Sequence, residues 1–595
     1  MKIIKYALCA FLFGGLVSAC NFLDKEPYKL SPEKYFNNAA EAESFLTGVY
    51  AILGQSTFYG DNFMYLAGGD DLQHYGGTST RQPADKGLIC ANTVSSDPAV
   101  TGMWYTLYSG INRANMFLEN VDRATDLTDE KKAQYIAEAR FLRAFYYFTL
   151  VQNWGDVPFK TESTNTVVNL SLPRTDRDKI YDFIVTEMSE VADGEHAGLL
   201  HASELGYKPG RVSRSAAWGI LARVYLFRAG EYHRMKTQPS GKEAEYFAKA
   251  SEYAQKVMNE GHDLVDNYWD VFIDLCSDQY NSTGKYESIW EVEFAGGNQT
   301  DVKAAGRWGN NVGLEGPDLS NNSDVVGKND PGYSYQFIFA TPKLFDLYTA
   351  NGDYERFYWS LAPFKYVEKD NKSKVSVTGR YFVKGSMRKI LDEFHNWGEK
   401  TYSYGEYTGT AENYHQVGDF ENPSEVKDKG RACAKYRREY EADKKDKNYT
   451  CINFPILRYS DVLLMIAEAE NEVNGAPNEL AYRCINMVRS RAGISTLSGL
   501  DQTGFRQAVK DERAMELCFE FTRRYDLIRW GEFVTNMHEM VNVALSAGDE
   551  WKQVQTNSVH NYFKNVTEAY NYFPIPDQEM SVNKAITENN PGWQL

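Results

Sequence analysis

Apolar positions recur at intervals of three and four over residues 104–121, where Leu107, Ile111, Ala114 and Leu118 share one face, and this spacing predicts an amphipathic helix. A longer helix is predicted over 130–153. Tyr135, Ala139, Leu142, Tyr146 and Leu150 form one stripe on it, and Ala137, Phe141, Ala144, Phe148 and Val151 form a second. Its later turns are thus apolar nearly all round, so it must lie between neighbours. Gly155, Asp156 and Pro158 stop it, because Gly accepts the left-handed turn at a helix end and Pro cannot continue one. The same period predicts helices over 41–53, 177–192, 213–228 and 243–260, joined by short polar turns into antiparallel pairs.

Small residues Ala216, Ala217, Gly219 and Ala222 permit close helix approach, and the small/large alternation resembles tetratricopeptide packing without a clean repeat. Between 267 and 453 the texture changes to Gly, Asn, Tyr and Trp, with β-like runs such as Ile289-Trp290-Glu291-Val292-Glu293-Phe294. Helical signal returns over 460–474, 479–492 and 503–530. The expected architecture is mainly α: a tetratricopeptide-like helical-pair scaffold, an α/α superhelix, with an irregular, loop-rich lobe containing short β-strands. Residues 20–266 and 454–595 would form the helical regions and 267–453 the ligand-binding lobe, in one compact body. Loops held by a rigid scaffold are where binding residues concentrate.

The ends of the chain change this picture. Residues 1–19 read as a signal peptide, with Lys2 and Lys5 before an apolar run too short to span a bilayer. The run ends in Leu16-Val17-Ser18-Ala19-Cys20, which looks like a bacterial lipobox with Cys20 as the site of lipid attachment. An ordinary secretory peptide cut near Ala19 is the alternative. A multiply acylated Cys20 would anchor the chain to a membrane without crossing it. Loss of Lys2 and Lys5 takes the net charge from −17 to −19, which opposes nucleic acid as a partner. Of the remaining cysteines none forms a CxxC pair; buried free thiols are expected, with a Cys433–Cys451 bridge as the alternative.

Candidate chemistry is sparse. Asp70-Asp71 is the most suggestive carboxylate pair, and a solvated turn or helix cap is its expected role. Ser31-Pro32-Glu33-Lys34 and Ser424-Glu425-Val426-Lys427 match S-x-x-K without its companion motifs. No H-E-x-x-H, Walker loop or G-x-G-x-x-G after a strand occurs, and 318–330 lacks a complete EF-hand pattern, so no cofactor or metal is expected. Aromatic surface remains. Sugars offer apolar faces to flat rings and polar edges to amides, carboxylates and guanidinium groups. Arg307-Trp308-Gly309-Asn310-Asn311, Tyr333-Ser334-Tyr335 and Gln73-His74-Tyr75 supply both kinds of group.

Four segments carry a family resemblance. The first is Cys20-Asn21-Phe22-Leu23-Asp24-Lys25-Glu26-Pro27, followed by Tyr35-Phe36 and Thr47-Gly48-Val49-Tyr50. The second is Glu138-Ala139-Arg140-Phe141-Leu142-Arg143-Ala144-Phe145-Tyr146-Tyr147, leading to Trp154-Gly155-Asp156-Val157-Pro158. The third joins Glu512-Arg513-Ala514-Met515-Glu516-Leu517-Cys518-Phe519-Glu520-Phe521 to Arg524-Tyr525-Asp526-Leu527-Ile528-Arg529-Trp530. The fourth is Tyr572-Phe573-Pro574-Ile575-Pro576, with Glu579 and then Asn589-Asn590-Pro591-Gly592-Trp593. In this order they resemble the SusD/RagB family of outer-membrane nutrient-binding lipoproteins, departing at Phe521, where the family often has Gly. Arg140, Arg143 and Glu520 are expected to pair with charges that hold the scaffold, Glu520 with Arg523 or Arg524.

The resemblance implies a binding protein and not an enzyme, lipid-anchored at the outer membrane and facing the cell exterior. It would capture oligosaccharide and deliver it to a SusC-like TonB-dependent outer-membrane transporter. Ligand-binding residues implied are Trp308, Tyr335 and Tyr75, with Arg307 and Asn310 as polar partners. A peptide-binding RagB-like protein and a helical glycoside hydrolase remain as alternatives.

Overall fold

A computed structural model describes residues 35–593 except 78, 165–169, 236–241, 296–305, 315, 317, 319–331, 363, 367–375, 380–399, 404–410, 414–431, 442–444 and 547–558. The signal peptide, Cys20, both S-x-x-K matches and nearly all of the 318–330 stretch lie outside the described residues.

Helices α1 (Ala39–Tyr50), α2 (Pro98–Asn120), α3 (Asp129–Trp154) and α4 (Arg177–Asp193) start where a short polar side chain takes up a free N–H of the first turn. Asn38 accepts from Glu41, Asp97 from Ala99, Thr128 from Lys131 and Asp176 from Asp178. Every residue over 141–154 of α3 is buried, as its all-round apolar pattern requires. Helices α5 (Arg214–Met235) and α6 (Lys242–Met258) continue the array. Each helix from α1 to α6 packs on the next, and α6 packs on α9 (Tyr459–Asn474), so the C-terminal helices extend the same tetratricopeptide-like stack. Helices α10 (Glu479–Arg491) and α11 (Gln502–Leu517) cover α9.

The lobe contains helices α7 (Tyr268–Cys276) and α8 (Pro342–Asn351), which the irregular composition did not announce. Its strands are short. Strand β1 (Gln73–Tyr75) pairs antiparallel with β3 (Ile338–Ala340), and β5 (Ala432–Cys433) lies between β3 and β4 (Leu361–Ala362). Strand β2 (Ser288–Val292), within the predicted β-like run, pairs with β6 (Phe454–Arg458). A Cβ on Gly219 of α5 would lie 2.3 Å from the Leu457 side chain, so the missing side chain lets β6 rest directly on that helix.

The helix predicted over 503–530 is two. Helix α11 ends at Leu517 and α12 (Arg523–Arg529) begins after a turn in which Phe519 and Phe521 take left-handed φ values of +60° and +58°. Phe521 occupies the conformation Gly enters at least cost. Its ring packs against Trp308 at 5.1 Å and Phe63 at 6.4 Å.

This turn closes over a buried charge network. Glu516 meets Arg356 at 3.0 Å, Arg458 at 3.1 Å and Arg491 at 2.5 Å. Glu512 holds Arg356 and Arg489, Glu287 holds Arg458 and Arg491, and Asp353 adds to Arg356. Glu520 pairs with Arg458 at 2.8 Å and Lys435 at 2.6 Å, and not with Arg523 or Arg524 as its spacing suggested. Five cations thus face five carboxylates, all buried. Such a set is tolerable inside a protein only when every charge has partners. Arg140 and Arg143 of α3 behave as expected, both reaching Glu187 of α4, at 2.6 and 2.7 Å.

The second and fourth family segments meet. Trp154 donates its indole N–H to the Pro574 carbonyl at 2.9 Å, Phe573 N–H donates to the Asn153 carbonyl at 2.7 Å, and the Asn590 amide donates to the carbonyls of Trp154 and Phe573. The C-terminal segment therefore caps α3, whose end Gly155 turns away with φ +71°. All six cysteines among the described residues are free thiols, so Cys433 and Cys451 are not bridged.

Candidate functional site

The loop that follows the short helix Trp308–Val312 is hung from it by backbone bonds. Tyr335 N–H donates to the Asn310 carbonyl and Phe337 N–H to the Asn311 carbonyl, both at 2.7 Å, and the Ser334 hydroxyl reaches the Asn310 carbonyl at 2.8 Å. Gln336 between them is left-handed at φ +54°. Tyr335 and Phe337 stack at 5.1 Å and 7° on either side of this kink, with Tyr333 edge-on to Tyr335 at 5.0 Å. Phe337 in turn contacts Tyr75 at 5.4 Å, which β1 positions beside β3, and Tyr75 approaches Tyr65 at 6.3 Å. The result is a ladder of rings running from a core strand to the surface, where Tyr335 is 38% exposed. Offset and edge-on contacts of this kind hold each ring in one orientation.

Charged groups border the ladder. Lys447 lies 5.1 Å above the Tyr333 ring and pairs with Asp318 at 3.0 Å. Lys86 and Arg81 lie over Tyr65, and Lys86 pairs with Asp61 at 3.0 Å. Arg307 approaches Asp61 at 3.5 Å and donates to the Asn310 side chain at 2.9 Å. Burial, with Tyr335 next to it, pushes the Tyr333 phenol up from its ordinary value, so that phenol is a neutral donor and acceptor at neutral pH.

Of the five predicted ligand-binding residues the structure brings all to this region, but only Tyr335 presents a ring to solvent. Trp308 is 3% exposed and stacks on Phe454 at 4.4 Å, with Phe521 and Tyr436 at 5.1 and 5.6 Å, so it is a core wedge and not the exposed platform expected. Tyr75 is buried beneath Phe337 and acts as a support. Asn310 is fully buried; its amide donates to the Lys447 carbonyl at 2.8 Å, its side-chain oxygen accepts from Arg307, and its carbonyl holds Tyr335. It positions both and contacts nothing outside. Arg307 is half-buried at the rim.

Sequence reasoning missed Phe337, Lys447 and the exposed Tyr449. Phe337 carried a signal: Tyr333, Tyr335 and Phe337 alternate at period two, the spacing of one face of an extended segment. Lys447 and Tyr449 lie more than a hundred residues on, and nothing local marks them.

Asp70-Asp71 is not a solvated turn. Both are buried. Asp70 accepts from the N–H of Leu72 at 2.8 Å and of Gln73 at 3.2 Å, an Asx turn that launches β1. Burial, reinforced by Asp71, raises its carboxyl to about 8. Burial would raise Asp71 as well, but Arg523 at 2.8 Å and Lys343 at 2.5 Å outweigh it and hold that carboxyl below the usual range. Sealed from solvent, the pair cannot meet a substrate. His74 beside it is pushed down to about 4 by burial and is neutral at pH 7. Among the described residues no three His, Cys, Asp or Glu side chains converge as a metal site, and no helix is long and apolar enough to cross a membrane.

Residues 286–593 match the family model described as "SusD family", and residues 21–226 match one described as "Starch-binding associating with outer membrane". The chain is 28% identical to the SusD-like protein P25 of Formosa agariphila, over 99% of each chain. It is 24% identical to the starch-binding protein SusD of Bacteroides thetaiotaomicron, over 99% of this chain and 98% of that one. The fold superposes on the crystal structure of a SusD homolog from Bacteroides thetaiotaomicron with a TM-score of 0.72 and 25% identity, covering 94% of this chain and 98% of the other.

Proposed function

Because this chain belongs to the SusD family, we propose that it is a non-catalytic oligosaccharide-binding lipoprotein of the cell surface. It is anchored in the outer membrane through Cys20 and passes captured glycan to a SusC-like TonB-dependent transporter.

The observation that carries this reading is the ring ladder ending at Tyr335. A flat ring held rigid by Tyr333 and Phe337, with Arg307 and Lys447 close by, offers a sugar an apolar face and hydrogen-bond donors at little entropic cost. The only carboxylate pair that the sequence put forward for acid–base work is interior, which supports capture without cleavage. Each sugar contact on an exposed surface is weak, so capture gains from a tether that keeps released ligand near a pore.

Isothermal titration of the purified protein against a panel of neutral and acidic oligosaccharides, with mixed peptides as a control, tests the reading. Binding to at least one glycan is expected, weakened about threefold to tenfold by Tyr335→Ala, since an aromatic contact contributes on the order of 0.5–1.5 kcal/mol. Binding to peptides and to no glycan would move the chain to the peptide-capturing reading.

A further inference from the structure

Cations beside the ladder differ in how fully they are neutralised. In a chain that carries −17, four cations stand beside the ladder, Lys447 over Tyr333, Arg81 and Lys86 over Tyr65, and Arg307 next to Asp61, and carboxylates stand among them, so what matters is how well each cation is neutralised. Among the described residues Arg81 pairs with Asp85 and Lys447 with Asp318, one to one. Asp446 beside Lys447 turns its carboxylate to the backbone N–H groups of Asn448 and Tyr449 instead. Asp61 is shared. It takes Lys86 at 3.0 Å, the Asn311 amide at 2.6 Å and Arg307 only at 3.5 Å.

Arg307 is consequently the least neutralised of the four. Its one close side-chain partner is neutral Asn310, its Nε is buried with no hydrogen-bond partner among the described residues, and its side chain is 27% exposed. A half-buried guanidinium with its counter-ion at the edge of contact binds an external oxyanion well, because little has to be displaced and its planar fork matches carboxylate and sulfate alike. Arg307 donates to the Asn310 side chain and the Tyr335 backbone N–H to the Asn310 carbonyl, so one residue ties the guanidinium to the loop that carries the stacking ring. Lys447, 44% exposed above Tyr333, offers a second cation along the same ladder.

We propose that the glycan bound on this ladder is acidic, carrying carboxylate or sulfate groups received by Arg307 and Lys447. The proposal rests on the glycan reading above and narrows it to a substrate class.

The test titrates the purified protein with matched pairs: oligouronates against their carboxyl-reduced counterparts, and sulfated galactan oligosaccharides against their desulfated forms. At low salt one acidic member is expected to bind about tenfold more tightly than its neutral match, and which pair responds separates carboxylate from sulfate. The preference should shrink in high salt. Arg307→Gln and, independently, Lys447→Gln should each cut the acidic preference by about threefold or more, weakening the acidic member more than its neutral match, whereas Tyr335→Ala should weaken both members by the same factor and leave the preference as it was. A neutral glycan binding as tightly as its acidic match overturns the charge inference and leaves glycan capture standing. Silence on every glycan overturns both.

Discussion

Glu516 is the carboxylate on which the interior depends most, and its removal gives a sharp test of the network. Glu516→Ala deletes three ion pairs at once, with Arg356, Arg458 and Arg491. The loss is not three times a single pair. Arg356 keeps Asp353 and Glu512, and Arg458 keeps Glu287 and Glu520, whereas Arg491 is left with Glu287 alone. Five buried cations would then face four carboxylates. One uncompensated buried charge costs about 3–5 kcal/mol, and that is the expected loss of stability. Unfolding entropy near 2.1 cal/mol/K per residue amounts to roughly 1.2 kcal/mol/K for a chain of this size, so the melting temperature should fall by about 3–4 °C. Glu516→Gln keeps the shape but removes the same charge and turns an amide N–H donor toward the guanidinium groups, so it should cost as much as Glu516→Ala. Urea titration followed by tryptophan fluorescence, with scanning calorimetry beside it, measures both. The control is Glu252→Gln, which breaks the exposed pair with Lys249 at 2.8 Å and should cost under about 0.5 kcal/mol. If Glu516→Ala is no more costly than that control, the network does not hold the interior as argued.

Three further outcomes follow from single features. Asp70 has a folded-state value of about 8 against 3.8 for the ordinary group, so its contribution is present below pH 4 and is lost as pH rises toward 8. Asp70→Asn mimics the protonated form, with Gln73 able to turn its free amide oxygen to the new donor; its stability relative to the parent should grow by up to about 1.4 kcal/mol per pH unit between pH 4 and 8, and a flat difference in urea midpoints would refute this. Phe521→Gly relieves a left-handed φ worth about 1–2 kcal/mol but empties the ring position against Trp308 and Phe63, so a net loss of about 2–4 kcal/mol is expected by urea titration, and a gain would show that backbone strain outweighs packing. With every described cysteine free, a thiol reductant should leave the melting temperature unchanged, and a fall of several degrees would reveal a bridge that the structure does not contain.

What the sequence made legible was whatever short-range pattern controls. The helices from α1 to α6 announced themselves because one apolar face repeats every three or four positions, and the all-round apolar end of α3 foretold its burial. The break between α11 and α12 was invisible for the opposite reason: the helical period runs on through Phe519 and Phe521, and neither is the glycine that usually marks a left-handed turn. Glu520 looked settled by Arg523 and Arg524 three and four positions on, yet Arg458 and Lys435, more than sixty residues away, claim it. Trp308 misled similarly. A tryptophan between Arg and Gly in a loop-rich stretch reads as surface, and only Phe454 and Phe521, far along the chain, bury it. Tyr335 was named through the family resemblance, and the period-two spacing of Tyr333, Tyr335 and Phe337 went unread.

The cap on α3 has a consequence for the order in which the molecule is made. Trp154 and its partner carbonyl at Pro574 are 420 positions apart, and Asn590 is 436 from Trp154. At synthesis rates of about 5–20 residues per second, the end of that helix waits roughly 20–80 seconds for the segment that completes it. Until then its indole N–H and end carbonyls have only water as a partner. The last thirty residues therefore act as a timing lock: the array of helices closes only when the final words of the chain have been spoken, and a prematurely ended chain is marked as unfinished at the end of its third helix.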